Sequence, residues 1–220
     1  MSLKIIRFIA RLIVRIVADV EIVGLEHVPE TGGCVTVCNH IGRLDAMLAL
    51  IMPEREDIIM LIAEKYQVYA FWRFWARQFD AIWLNRFEAD FRAMREVVKR
   101  LNAGGILGIA PEGTRSQSGK LLQAKHGATF LAAKANVPVL PTAIVGSEDF
   151  IVRAKLKRLQ RLKIKVVVGK PFMLPPMPRQ DKDAYFQVQT DEIMCQIAAL
   201  LPATHRGFYA DHPRLQELLD

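Results

Sequence analysis

His40 stands five residues before Asp45 in the stretch Cys38-Asn39-His40-Ile41-Gly42-Arg43-Leu44-Asp45. An imidazole held by a carboxylate is the base-and-orienter half of a catalytic triad, and it needs no nucleophilic serine if the substrate brings its own hydroxyl. On one continuous helix the two residues would be separated by roughly 140° and could not share a face. They meet only if His40 lies off the helix and Asp45 lies in its first turn. The flanking residues fit that arrangement. Cys34-Val35-Thr36-Val37-Cys38 has the length and β-branched content of a buried strand, and Leu44, Met47, Leu48 and Ile51 follow with helical character. A helix N-terminus keeps Asp45 ionised, so that it can hold the imidazole by its far nitrogen. For an isolated pair, a capping aspartate beside a core histidine is the competing explanation.

Two further polar motifs stand at strand ends. Ala81-Ile82-Trp83-Leu84 reads as a short strand running into Asn85-Arg86. Ile106-Leu107-Gly108-Ile109-Ala110 reads as a strand running into Pro111-Glu112-Gly113-Thr114-Arg115-Ser116. Glycine-containing polar chemistry at the C-terminal end of a buried strand is where open α/β sheets bind ligands. Arg86 and Arg115 carry forked guanidinium groups that meet phosphate oxygens two at a time; an ion pair with Glu112 or Asp80 is the plainer alternative. Cys34, Cys38 and His40 lack a partner motif with metal-ligand spacing and read as strand residues.

The elements that must position these groups alternate along the chain. Strands are expected at 34–38, 57–63, 81–84, 106–110, 139–145 and 163–168, with helices from Leu44, over 67–78, 87–103 and 125–136, and over 181–200. Pro171 to Pro178 is a proline-rich connection, and the residues from Pro202 read as a polar tail. This alternation predicts an α/β fold with a single mostly parallel or mixed sheet flanked by helices on both faces. The division expected is a helix over 1–20, one domain over 21–200 and a tail over 201–220.

The 220 residues carry a net charge of +7 and 51% hydrophobic content, and mean hydropathy is +0.15. That balance points to an anionic partner: acidic lipid, a phosphorylated substrate or nucleic acid. No basic-aromatic stripe of the single-strand-binding kind is present. The three cysteines cannot all pair, which suits a reducing compartment.

In the first twenty residues Lys4, Arg7, Arg11 and Arg15 fall within an arc of roughly 80° on a helix, and apolar side chains fill the other directions. Charges at this density exclude a spanning helix, and a signal peptide fits poorly. The pattern predicts a helix lying in the headgroup region of an anionic membrane, against the alternative of a helix docked on protein with its basic stripe in solvent. The aromatic segment 67–78 is compatible with core packing or with a second membrane-facing surface. The basic run from Arg153 to Lys165 fits a solvated or membrane-facing helix, or nucleic acid.

Taken together, Asn39-His40 with Asp45, Ile82 to Arg86, Pro111 to Ser116 and Val137-Pro138-Val139-Leu140-Pro141 resemble, in order, the four motif blocks of the glycerolipid acyltransferases, specifically the 1-acylglycerol-3-phosphate acyltransferase family. The family often has a serine where this chain has Gly42, and often a glycine and an aspartate or serine where Ala81 and Asn85 stand. The resemblance implies transfer of a fatty acyl group from an acyl thioester (acyl-coenzyme A or acyl carrier protein) to the sn-2 hydroxyl of lysophosphatidic acid. It implies His40 and Asp45 as catalytic residues, and Arg86, Glu112, Gly113, Thr114 and Arg115 as substrate-binding ones. No metal or cofactor is implied, and no nucleic acid is expected. The expected location is peripheral or monotopic, on the cytoplasmic face of the cell membrane through residues 1–20. Other acceptors (another lysolipid, lyso-ornithine lipid, glycerol 3-phosphate) fit the same base and basic pocket. A non-catalytic basic module binding membrane or nucleic acid is the non-enzyme alternative.

Overall fold

A computed structural model describes residues 3–51, 55–85 and 90–220. Its centre is a six-stranded sheet built from β1 (Ala18–Val23), β2 (Cys34–Cys38), β3 (Ile58–Ile59), β6 (Ile106–Ile109), β7 (Val139–Val145) and β8 (Leu162–Val168), in the spatial order β1-β8-β7-β2-β6-β3. β4 (Leu61–Ala63) and β5 (Ile82–Leu84), with α3 (Ala70–Gln78) between them in sequence, form a separate parallel pair. The expected strand 57–63 is therefore two strands, in two different sheets.

Strands β7, β2, β6 and β3 run parallel, β8 runs antiparallel to β7, and β1 runs parallel to β8. The sheet is thus mixed. This topology places the beginnings of β1 and β8 at the same edge as the ends of β2, β6 and β7.

The central strands are apolar on both sides because both faces are covered. Val35 and Val37 pack with α5 (Gly127–Ala135) and α7 (Lys182–Leu200), through Leu131, Ala132, Ile193 and Ile197. α4 (Phe91–Asn102) and α8 (Pro213–Leu219) join that layer through Val97, Leu101 and Leu215. Cys34 faces the other way with Leu140, Ile144, Ile164 and Val166, under Val14 of α1 (Leu3–Val17) and Leu48 of α2 (Asp45–Ile51). Truncating Leu131, which is fully buried, removes contacts worth about 2–5 kcal/mol.

Three sequence expectations change. The first helix ends at Val17, and Ala18–Val23 is an edge strand rather than helix and loop. Arg7 is buried and donates to the Arg55 carbonyl, so it leaves the basic stripe to Arg11 and Arg15; the side chain of Lys4 lies outside the described residues. The polar-looking segment after Leu201 is anchored in the core by Tyr209 and Leu215, 1% and 0% exposed. The Tyr209 hydroxyl accepts the Ala124 amide, and the Phe208 amide bonds the Leu121 carbonyl. Those contacts brace the loop that follows Ser116.

Candidate active site

β2 and β6 lie side by side and parallel, so the Asn39-His40 and Pro111–Ser116 motifs that follow them emerge at one edge of the sheet. Asn39 is buried, and its side-chain amide exchanges two 2.8 Å hydrogen bonds with the backbone of Ile144 on β7. The amide group stands in for a peptide unit and extends the β2–β7 ladder by one rung. The apolar-proline motif runs into the start of β7, so this bond ties the first motif to the strand that carries the fourth.

His40 lies off the helix and Asp45 opens α2, the arrangement their spacing requires. Their side chains meet with Nδ1 2.9 Å from Oδ2. Asp45 is buried, and its carboxylate accepts three further bonds: from the amides of Ile41 (2.8 Å) and Gly42 (2.9 Å) and from the Ser147 hydroxyl (2.6 Å). A carboxylate held by four donors stays in place and accepts the proton on Nδ1. Nε2 is then left for a substrate hydroxyl.

The second loop is stitched to the first. The Ser116 amide donates to the His40 carbonyl at 2.7 Å, and the His40 amide donates to Glu112 Oε1 at 2.9 Å. Glu112 Oε2 accepts the Leu122 amide at 2.8 Å. Both carboxylate oxygens of this buried residue are therefore engaged by backbone, and burial raises its pKa above the ordinary glutamate value despite the two amide donors. Gly113 takes a left-handed conformation (φ +68°) that lets the loop turn between Glu112 and Arg115. Thr114 is exposed.

Arg115 pairs with Asp149, and Asp149 also accepts the Arg43 amide at 3.0 Å. The partners weighed from sequence are occupied elsewhere: Asp80 pairs with Arg100, and Glu112 binds backbone. Arg86 lies outside the described residues. Asn85, beside it, donates its amide to Asp90, which caps α4.

Burial, with the nearby Asp45 and Glu112 carboxylates, pushes the Cys38 thiol up to about 12. It therefore holds its proton at neutral pH and is no nucleophile for an acyl group.

Sequence reasoning missed Ser147, Asp149 and the approach of Lys125, whose side chain lies against Gly113. Ser147 and Asp149 reach the site from more than 100 residues away and sit in no recognisable motif. The one local signal was Gly42. A β-carbon built there would lie 1.8 Å from the Ser147 carbonyl oxygen, so the glycine marks where the 147 backbone crosses.

A family model described as Acyltransferase matches residues 19–145. The chain is 31% identical over 141 residues to mouse 1-acyl-sn-glycerol-3-phosphate acyltransferase alpha, covering 60% of this chain and 47% of that protein. It is 29% identical over 171 residues to the human protein of the same name, covering 73% and 56%. The chain thus spans about half the length of the curated relatives it matches. Its fold is similar to the crystal structure of the 1-acyl-sn-glycerophosphate (LPA) acyltransferase PlsC from Thermotoga maritima, with a TM-score of 0.64 and 24% identity over 87% of this chain and 78% of that one.

Proposed function

Since this chain belongs to the acyltransferase family, we propose that it moves a fatty acyl group from an acyl thioester to the sn-2 hydroxyl of 1-acylglycerol 3-phosphate, giving phosphatidic acid. The observation that carries the proposal is the His40–Asp45 dyad bonded directly to the Pro111–Ser116 loop. His40 Nε2 takes the proton of the acceptor hydroxyl as its oxygen attacks the thioester carbonyl. The tetrahedral intermediate collapses with loss of the thiolate, which recovers the proton from the imidazolium. Asp45 stabilises that imidazolium and fixes its tautomer.

Arg115 holds the acceptor phosphate with guanidinium N–H groups not committed to Asp149, which orients the fork beforehand. Glu112 serves the acceptor through the two loops its carboxylate joins. Thr114 adds a hydroxyl at the mouth, and Arg86, by its place in the second motif, is the further phosphate contact. Coenzyme A or acyl carrier protein delivers the acyl group.

The acceptor and product are lipids, and α1 supplies a place for the enzyme to meet them. Ile6, Ala10 and Val14 dock on the protein, while Phe8, Leu12 and Ile16 are 68%, 50% and 65% exposed on the opposite side, next to Arg11 and Arg15. No described helix is long and apolar enough to cross a membrane. A two-faced helix with a cationic border suits the headgroup region of an anionic bilayer, on the cytoplasmic side where acyl donors are found.

The test is an acceptor panel: lysophosphatidic acid, glycerol 3-phosphate, lyso-ornithine lipid and lysophosphatidylcholine, each with acyl-coenzyme A and acyl carrier protein. Phosphatidic acid formation at the highest kcat/KM with lysophosphatidic acid supports the proposal. A preference for an acceptor without a phosphate monoester refutes it.

A further inference from the structure

α6 (Asp149–Lys157) and the turn after it are almost wholly in solvent, yet among their charges they expose large apolar side chains. Phe150 and Leu156 are 58% and 43% exposed. Leu159 is 96% exposed at the tip of the turn, in a left-handed conformation (φ +54°) that a branched apolar residue rarely adopts. Exposed Arg153, Lys157 and Arg158 surround these residues in sequence. Burial in this chain does not explain such a tip. Half-buried Ile151 and Val152 already seat the helix on the core.

Topology fixes where the tip lies. β8 begins beside the start of β1, Leu162 facing Ala18. The turn before β8 therefore adjoins the end of α1, and Arg161 clasps the two by donating to the carbonyls of Arg15 (3.0 Å) and Ala18 (2.6 Å). At its other end α6 starts at Asp149, the partner of Arg115. One helix thus runs from the mouth of the site to the end of α1, carrying apolar and cationic side chains.

We infer that the tip of the α6–β8 turn is a second bilayer contact, with Leu159 inserted among the acyl chains and Arg153, Lys157 and Arg158 on anionic headgroups. This rests on the reading of α1 as a membrane helix, and it goes further by holding the site mouth against the lipid surface from a second side. Cations around an exposed apolar tip match an anionic interface, where each Lys or Arg strengthens binding roughly fivefold. The tie that Arg161 makes to the end of α1 favours the same occupant.

The experiment labels the full chain carrying Leu159→Cys with an environment-sensitive NBD probe; Cys34 and Cys195 are buried, and the parent chain labelled in parallel subtracts any signal from half-buried Cys38. Vesicles are phosphatidylcholine alone or with 30 mol% phosphatidylglycerol, and binding is followed in parallel by sedimentation. The expected result is a blue shift and at least a threefold rise in NBD emission on the anionic vesicles. Arg153→Gln with Arg158→Gln should then weaken binding roughly 25-fold. Sedimentation with no change at position 159 overturns the turn contact and leaves α1 standing. If the probe responds while Phe8→Ser/Leu12→Ser/Ile16→Ser binds as well as the parent, α1 fails and the turn stands. A chain that does not sediment with either vesicle refutes both. A probe already buried in a dimer before lipid is added makes a second copy the occupant and overturns the proposal.

Discussion

A side chain at position 42 should dismantle the site without touching any reacting group. The Gly42 β-carbon position lies 1.8 Å from the Ser147 carbonyl oxygen, backbone against backbone, so no rotamer change relieves the clash. Reaching an ordinary contact of 3.4 Å requires the two loops to part by about 1.6 Å. Whichever loop moves, Asp45 loses a donor. If the 147 loop retreats, the 2.6 Å bond from Ser147 breaks; if the histidine loop retreats, the 2.8 and 2.9 Å bonds from Ile41 and Gly42 break. A lost hydrogen bond to a buried charge costs about 1.5–3 kcal/mol, and the overpacking adds about 1–3 kcal/mol. In a domain of this size each kcal/mol lowers Tm by about 2–4 °C, so Gly42→Ser should melt about 5–24 °C lower. A misplacement above 1 Å in a base-orienting group costs turnover on the order of 100-fold. The assay is thiol release from acyl-coenzyme A with lysophosphatidic acid, alongside a thermal melt. The test is demanding because a serine often stands at this position in the family. Turnover within threefold of the parent, with Tm within 2 °C, would refute the claim that the 147 loop crosses here and holds Asp45.

Arg115→Ala should raise KM for the phosphorylated acceptor at least tenfold while changing kcat little, and an unchanged KM removes Arg115 from phosphate binding. Asp149→Asn keeps the side chain's shape and weakens the pair, so KM should rise less, about two- to fivefold; a rise as large as that of Arg115→Ala makes Asp149 part of the binding site itself. Deleting residues 201–220 strips Leu201, Tyr209 and Leu215, all at most 2% exposed, each worth about 1.5–3 kcal/mol of burial. That sum rivals the stability of a whole domain, so the truncated chain should be insoluble or molten by near-UV circular dichroism; a native melt would show the segment to be dispensable.

The site was legible in the sequence where its parts are local. His40 and Asp45 are five residues apart, and the strand before them and helix after them leave one way for them to meet. The Pro111–Ser116 loop was legible for the same reason, since it follows a run of strand residues. What reaches the site across the sheet was not. Ser147 and Asp149 become neighbours of Asp45 and Arg115 only because β7 lies beside β2, a pairing no periodicity reveals. Arg7 shows a similar limit. A helical wheel places it in a basic stripe, but only the docked protein shows that its guanidinium turns inward to the Arg55 carbonyl. β1 was hidden because its apolar alternation, Ala18, Val20 and Ile22, continues the apolar content of the helix before it. The antiparallel turn of β8 was equally silent, and it is what brings α1, the α6 turn and the catalytic loops to one edge.

The base role of His40 is tested most directly by acceptor-dependent thiol release from the parent and from His40→Ala. Release by the parent should require lysophosphatidic acid. His40→Ala should fall at least a thousandfold in kcat while keeping its melt and its circular dichroism. A His40→Ala chain that turns over within tenfold of the parent would contradict the assignment of His40 as the base on which the whole site is built.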